Sequence, residues 1–368
     1  MKFPPILSSI LFCLSLGATS CLADPPKVII DTDFNTIGDD GQVAVMAAQL
    51  YAQGAIDLLG FTIVSGNQWR DQEVADCLKA VERLGIEHRV KVYVGAQYPL
   101  LHDYNSYQLE LTLFGPAKDY VGAYNSTQPE PGDLVEPPGG FATHTKPAKE
   151  DAVRFLIEAF HRYPHEVTLL AIGPLTNVAL AMREDPTIIP LIKQIVIMGG
   201  QIYAPGNAYN DFGEFNWWFD PEAVQVVLRA QVPRLIIPLD VTNTVTLPQA
   251  VYDQIVSRTP PTIITQLYKQ GVQPGGFIYD TVAFASFYDP SLDVDTQDLY
   301  VDMGTTFDQN YGKSTVSISN PYPSINLLSR SKVVFHINNS RFFALYTDLF
   351  TRSVPVQFRH DRDEDEDK

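Results

Sequence analysis

Through the first 240 residues, each run of apolar and β-branched side chains stops abruptly on an acid, a glycine or a short polar stretch. Lys27-Val-Ile-Ile30 ends at Asp31, Leu58–Val64 at Ser65-Gly66-Asn67, and Val167–Ile172 at Gly173-Pro-Leu-Thr-Asn177. Ile192–Met198 gives way to Gly199-Gly200, and Leu235–Leu239 to Asp240. A continuous apolar run marks a strand buried on both faces, as in a parallel sheet. The segments between them carry the other period. Asp40–Gln53 repeats Val43, Ala44, Ala47 and Leu50, and Gln72–Leu84 repeats Val74, Cys77, Leu78, Val81 and Leu84, both at helical spacing. Asp151–Arg162, Thr176–Arg183 and Pro221–Ala230 also read as helices, the last with Asp220 as N-cap and Pro221 at its first position. Val90–Val94 adds one more strand. Alternating periods are the signature of βαβ units. The fold class is therefore α/β: an open, mostly parallel, Rossmann-like sheet with helices on both faces.

One stretch breaks the rhythm. Residues 99–149 are rich in Pro, Gly, Tyr and Asn and read as an insertion or lid-like loop. After Pro290 the pattern turns to short β-like runs, Ser314–Ser319 and Val333–Ile337 among them. No repeat or composition shift marks a second domain, so 24–358 reads as one unit. Residues 1–23 read as a secretory signal: Lys2 is the sole charge before Asp24, Ile6–Leu16 is apolar, and small residues lead to Ala23. That run is shorter than the ~20 residues a membrane span needs. The expectation is a secreted protein with no stable membrane insertion after cleavage, periplasmic or lipid-anchored through Cys21 if bacterial. Cleavage leaves Cys77 as the one cysteine, a buried apolar thiol by its helical spacing. Residues 359–368 read as an acidic disordered tail.

The chain carries 43 acids against 26 bases, a formal charge of −17. Such acidity argues against a nucleic-acid polymer as partner, since phosphate affinity rests on clustered Lys and Arg. The expected substrate is a small molecule; a homo-oligomer is left open. In open α/β sheets ligands bind beyond the carboxyl ends of the strands. There the sequence places Asp31, Asp33, Asp39, Asp40, Asn67, Asn177, Glu214, Asn216, Asp240 and Asp280. Four acids within ten residues repel one another unless a cation lies among them. Oxygen donors without His or Cys companions favour Ca²⁺ or Mg²⁺ over zinc. Taken singly, Asp39 reads equally well as a helix N-cap with Asp40 favouring the dipole, and Asn216 as a turn cap.

Taken together the pieces are distinctive. Asp31-Thr32-Asp33 followed by Asp39-Asp40 resembles the N-terminal motif of the inosine–uridine-preferring nucleoside hydrolase family. So do Ser65-Gly66-Asn67, Ile172-Gly-Pro-Leu-Thr-Asn177, Met198-Gly199-Gly200, Glu214-Phe215-Asn216, Asp220-Pro221-Glu222-Ala223 and Asp280, in family order. The resemblance implies Ca²⁺ held by Asp33, Asp40, Asp280 and the carbonyl of Ile172, gripping a nucleoside by two ribose hydroxyls. It implies Asp33 as the base for the attacking water, with Asp31 orienting it. Asp39, Asn67, Asn207, Glu214 and Asn216 would bind the sugar, and Trp69 would stack on the base, with ordinary core packing its other reading. Trp217 and Trp218 are weaker stacking candidates.

Three features depart from the family pattern. Five residues, not three, separate Asp33 from the Asp39-Asp40 pair; Tyr279 stands where relatives have a His that protonates the leaving base; and the stretch Gly206–Gly213 is long, so Asn210 competes with Asn207. His102 and His144, inside the insertion, read as solvated surface histidines. Two other readings stay open at this stage. Asp31-Thr-Asp33 also fits the opening of haloacid-dehalogenase-like phosphatases, although Asn35 and the lack of a convincing late Lys do not. Tyr279 also suits a calcium-binding relative that has lost turnover.

Overall fold

Val28 and Ile30 pack on one face of strand β1 (Lys27–Thr32), and Ile29 on the other. The computed structural model that displays this describes residues 24–36, 38–325 and 327–353. The expected leader, Cys21 and the acidic tail lie outside the described residues. The same alternation runs through β4 (Val167–Ala171), β5 (Gln194–Met198) and β6 (Arg234–Ile237): Leu170, Val196 and Ile237 join one core, and Leu169, Ile197 and Ile236 the other. Successive side chains of a strand point to opposite faces, so both faces of the sheet are covered. Helices Asp39–Ala52, Arg70–Leu84, Tyr279–Tyr288 and Asn339–Thr351 pack on the first; Ala152–Arg162, Thr176–Glu184 and Pro221–Arg229 pack on the second.

With β2 (Asp57–Ile63), β3 (Lys91–Val94), β7 (Asp293–Met303), β8 (Ser314–Ser317) and β9 (Arg330–Ile337), the sheet has nine strands. Their order is β3-β2-β1-β4-β5-β6-β9-β7-β8. All neighbours from β3 to β9 are parallel, and β7 runs antiparallel to both β8 and β9. From β1 the chain builds outward to β3, then returns to place β4 on the other side of β1. That reversal opens a crevice at the carboxyl ends of β1 and β4, the usual ligand site of such sheets. The α/β architecture read from the sequence is the one observed.

The differences lie at the periphery. Residues after Pro290 form more than short β-like runs: β7 is 11 residues long, and the helix Asn339–Thr351 follows β9, capped by the Asn338 side chain accepting from the Arg341 amide at 3.1 Å. The insertion contains a helix, Tyr104–Phe114, which lies over a third cluster of Trp69, Tyr124, Tyr209, Trp218 and other aromatic residues. His102 is consequently not a surface histidine. It is fully buried, with Nε2 3.4 Å from Glu110 Oε2, because the helix swings Glu110 over it among Tyr124, Trp218 and Tyr311. His144 is exposed. Cys77 is free and buried. No described helix is long and apolar enough to cross a membrane.

Asp220 ties the second layer to the strand ends. It caps the helix Pro221–Arg229 through the Ala223 amide at 3.1 Å, and its other oxygen accepts from Thr176 Oγ1 at 2.6 Å and the Leu100 amide at 2.9 Å. Asp220→Ala removes a cap and strands the buried Thr176 hydroxyl and the half-buried Leu100 amide, an expected loss of roughly 2–4 kcal/mol. The check is a lower urea midpoint with an unchanged denaturant slope.

Candidate active site

β1 and β4 are pinned side by side at their carboxyl ends, where the Ile172 amide donates to the Asp31 carbonyl at 2.8 Å. The Asp31 side chain is fully buried between strands: Oδ1 accepts from Thr62 Oγ1 at 2.5 Å and Asn177 Nδ2 at 2.8 Å, while Oδ2 has no partner among the described residues. Burial pushes its pKa up to about 7.

Past Thr32 the chain crosses the strand ends and presents Asp33. Two loops approach this residue as closely as glycine permits. A Cβ on Gly66 would stand 2.2 Å from Asp33 Oδ2, and one on Gly173 2.7 Å from the Asp33 amide. Asp33 Oδ2 accepts from the Asn67 amide at 2.9 Å. Asn67 Nδ2 donates both to the Asp33 carbonyl at 2.9 Å and to Asp40 Oδ2 at 3.0 Å. Asp40 Oδ1 accepts from Thr32 Oγ1 at 2.5 Å.

Asp39 and Asp40 occupy the first turn of one helix, and Asp280 the first turn of Tyr279–Tyr288; the Asp280 amide donates to Asp39 Oδ2 at 3.2 Å. Two helix N-termini, each carrying partial positive charge, thus meet at the carboxylates. One oxygen from each of Asp39, Asp40 and Asp280 lies within 4.8 Å of the others. Asp33 is outside that trio but lines the same cavity.

The cavity is about 330 Å³, large enough for a small ligand. Asp33, Asp39, Asp280, Asn67 and Ile172 line one part of it, and Asn207, Glu214, Phe215, Asn216, Met198, Tyr120 and Tyr279 the rest. Glu214 caps the short helix Phe215–Phe219 and also accepts from the Gly200 amide at 2.9 Å. Asn216 Nδ2 donates to the carbonyls of Ile172 at 3.1 Å and Met198 at 3.2 Å. Asn207 Oδ1 accepts from the Phe215 amide at 2.8 Å, and its side chain also bonds Tyr279. Asn210 turns away and accepts from the Lys118 amide.

Every acid here is driven toward its neutral form. Burial raises Asp33, Asp40 and Asp280 well above the usual carboxylate range, and their mutual repulsion adds to it. Burial raises Asp39 and lifts Glu214 to about 7, against backbone amides that favour its charged state. No lysine, arginine or histidine lines the cavity among the described residues. The deprotonated acids have no compensating charge within the cavity, and their all-oxygen donor set suits a hard divalent cation. Tyr279 is pushed up to about 12 by burial, and neighbouring carboxylates reinforce this.

Of the residues expected at the site, Asp33, Asp39, Asn67, Ile172, Asn207, Glu214, Asn216, Tyr279 and Asp280 line this cavity, and Asp40, buried, lies within 4.8 Å of Asp39 and Asp280. Trp69 does not. It is 4% exposed, bonded through Nε1 to the Ser126 carbonyl, and flanked edge-on by Tyr98 and Tyr124 in the aromatic cluster. Trp217 and Trp218 are fully buried. Three lining residues were not read as such: Met198, Phe215 and Tyr120. Tyr120 comes from the insertion, where a parallel bridge to Ala208 holds it; its hydroxyl donates to Asn67 Oδ1 at 2.9 Å and its ring meets Phe215 edge-on. Phe215 stands inside the Glu214-Phe215-Asn216 motif, whereas no local signal marks Tyr120.

A doubly covered parallel sheet with carboxylates and amides around one crevice at its switch point defines an α/β protein built to hold a small polar ligand. Residues 28–344 match the family model described as inosine-uridine preferring nucleoside hydrolase. The pyrimidine-specific ribonucleoside hydrolase RihB of Escherichia coli is 32% identical over 302 residues, covering 78% of this chain and 86% of its own. Among solved structures, a purine-preferring ribonucleoside hydrolase from Gardnerella vaginalis superposes with TM-score 0.70 at 24% identity over 90% of this chain and 99% of that one. An inosine-uridine preferring nucleoside hydrolase from Bacillus anthracis gives 0.64 at 22% over 89% and 99%. The chain belongs to the inosine-uridine preferring nucleoside hydrolase family. It is a hydrolase acting on N-glycosyl bonds, and the phosphatase alternative falls with that assignment.

Proposed function

We propose that the protein is an exported, Ca²⁺-dependent hydrolase that splits ribonucleosides into free base and ribose. The observation that carries the reading is a single 330 Å³ cavity in which Asp33, Asp39 and Asp280 face Asn67, Asn207, Glu214 and Asn216 with no basic side chain. Asp33, Asp40, Asp280 and the Ile172 carbonyl would hold the ion, with Asp39 beside them. When bound there, a divalent cation lowers the pKa of a water and neutralises the buried carboxylates.

The protein's own part is positioning and proton transfer. Asp33 takes a proton from the water as its oxygen bonds to the anomeric carbon. The C–N bond breaks, its electrons pass to the base, and the base is protonated by Tyr279 or solvent. Positive charge develops on the sugar ring during this step, and the carboxylates around it favour that charge. Asp39, Asn67, Asn207, Glu214 and Asn216 bind the sugar hydroxyls. Tyr120, Phe215 and Tyr279 supply aromatic walls for the base. The specificities of relatives differ, pyrimidine-specific for one and purine-preferring for another, so base preference is read from kinetics. The deciding assay is release of free base from inosine and uridine in the presence of Ca²⁺; absence of both products would remove the reading.

Tyr279→Phe tests the leaving-group role. A phenol near 12 is a poor acid at neutral pH, so the expected fall in kcat on inosine is about tenfold, below the ~10²–10⁴ of well-matched general acids. An unchanged kcat acquits the hydroxyl. Export rests on the leader, residues 1–23. N-terminal sequencing of the protein recovered outside the cell should begin near Asp24, or at Cys21 if that residue is lipidated.

A further inference from the structure

Glu73 is fully buried on the helix Arg70–Leu84, and the hydrolytic scheme gives it no task. Its Oε1 accepts from the Gln68 amide at 2.7 Å and the Gly66 amide at 3.3 Å. Its Oε2 is buried with no hydrogen-bond partner among the described residues. A lone buried carboxylate is costly, and an apolar side chain would fill the space without that cost. What this one does is hold both amides flanking Asn67. The same short loop is gripped from the other side, where the Ala123 amide donates to the Gly66 carbonyl at 2.8 Å. Asn67 in turn bridges Asp33 and Asp40 by the three hydrogen bonds described above.

We infer that Glu73 is a positioning residue: it fixes the Gly66–Gln68 loop so that the Asn67 amide groups hold Asp33 and Asp40 in the spacing that receives the cation. The inference rests on the proposed metal reading, yet its geometry can be tested without it. The requirement is an acceptor oxygen, not a charge, because both bonds come from neutral amides. Glu73→Gln keeps that acceptor and Glu73→Ala removes it.

Calcium titration calorimetry on the mature protein compares wild type, Glu73→Gln, Glu73→Ala, Asn67→Ala and the double Glu73→Ala/Asn67→Ala. Glu73→Gln is expected within about threefold of wild type, and Glu73→Ala weaker by roughly 10- to 100-fold, the span of two ordinary hydrogen bonds lost together. The double variant should bind no more weakly than Asn67→Ala, since Glu73 acts through Asn67. Additive losses, or a Glu73→Ala that binds like wild type, overturn the inference. Amide hydrogen exchange over residues 63–69 gives a readout that needs neither ion nor substrate. Glu73→Ala should lose protection there and Glu73→Gln should keep it; equal protection in all three proteins overturns the positioning role. A wild type that binds no Ca²⁺ while the exchange pattern holds would overturn the metal reading alone.

Discussion

Asp33→Asn is expected to lower kcat for base release by roughly 10²–10⁴-fold, the usual worth of a positioned general base, while the folded structure persists. The substitution keeps size and shape, and an amide oxygen can still accept from the Asn67 amide as Asp33 Oδ2 does at 2.9 Å. What it removes is the capacity to take a proton. It also removes a charge that the site opposes, because burial and the carboxylates of Asp39 and Glu214 hold Asp33 well above the normal carboxylate range. The metal-free variant should therefore melt no lower than wild type at neutral pH, and a higher melting temperature is expected. Loss of activity with undiminished stability is the signature of a residue kept for chemistry. Calorimetry and base-release kinetics on one preparation give both numbers. Wild-type turnover would take the base role from Asp33 and leave Asp39, which has a carboxylate oxygen within 4.8 Å of one on Asp280, as the acid to examine next.

The sheet was legible because burial on both faces forces uninterrupted apolar strands, and those strands declare their own carboxyl ends. That is why Asp33, Asn67, Ile172, Glu214, Asn216 and Asp280, distant in the chain, could be assigned to one crevice. Register and contact were not legible. Trp69, two residues beyond Asn67, was offered to the base, yet its indole goes inward because its Nε1 finds the Ser126 carbonyl on the insertion. Tyr120 went unread for the converse reason. Residues 99–149 show no period, and the ring reaches the cavity only through a bridge to Ala208, nearly ninety residues away. His102 likewise owes its burial to a helix whose exposed Leu109 and Leu113 hide the amphipathic pattern that would announce it. Glu73 carries no local signal, since an acid in a helix's first turn is ordinary, and only the loop folded back onto it sets it apart.

Removing the ion should matter most where the carboxylates are most fully charged, and this sets the sign of a pH experiment. In the folded, metal-free chain Asp31 and Glu214 are pushed up to about 7, and Asp33, Asp40 and Asp280 well above their ordinary values. Unfolded, the same groups titrate near 3.8 to 4.5. Across that interval the folded state holds more protons than the unfolded one, so metal-free stability falls as pH rises from about 4 through 7. This is the reverse of the behaviour of a salt-bridged carboxylate. A divalent cation binds the deprotonated acids, so its contribution grows over the same range. At a concentration one hundred times its Kd, Ca²⁺ is expected to add about 2.7 kcal/mol, or about 4 °C in melting temperature for a domain of this size. The increment between Ca²⁺ and a strong chelator should be largest near pH 8 and shrink toward zero near pH 5. An increment that is absent at pH 8, or that grows on acidification, would mean that the buried acids are neutralised by protons alone and that the cavity does not take the ion.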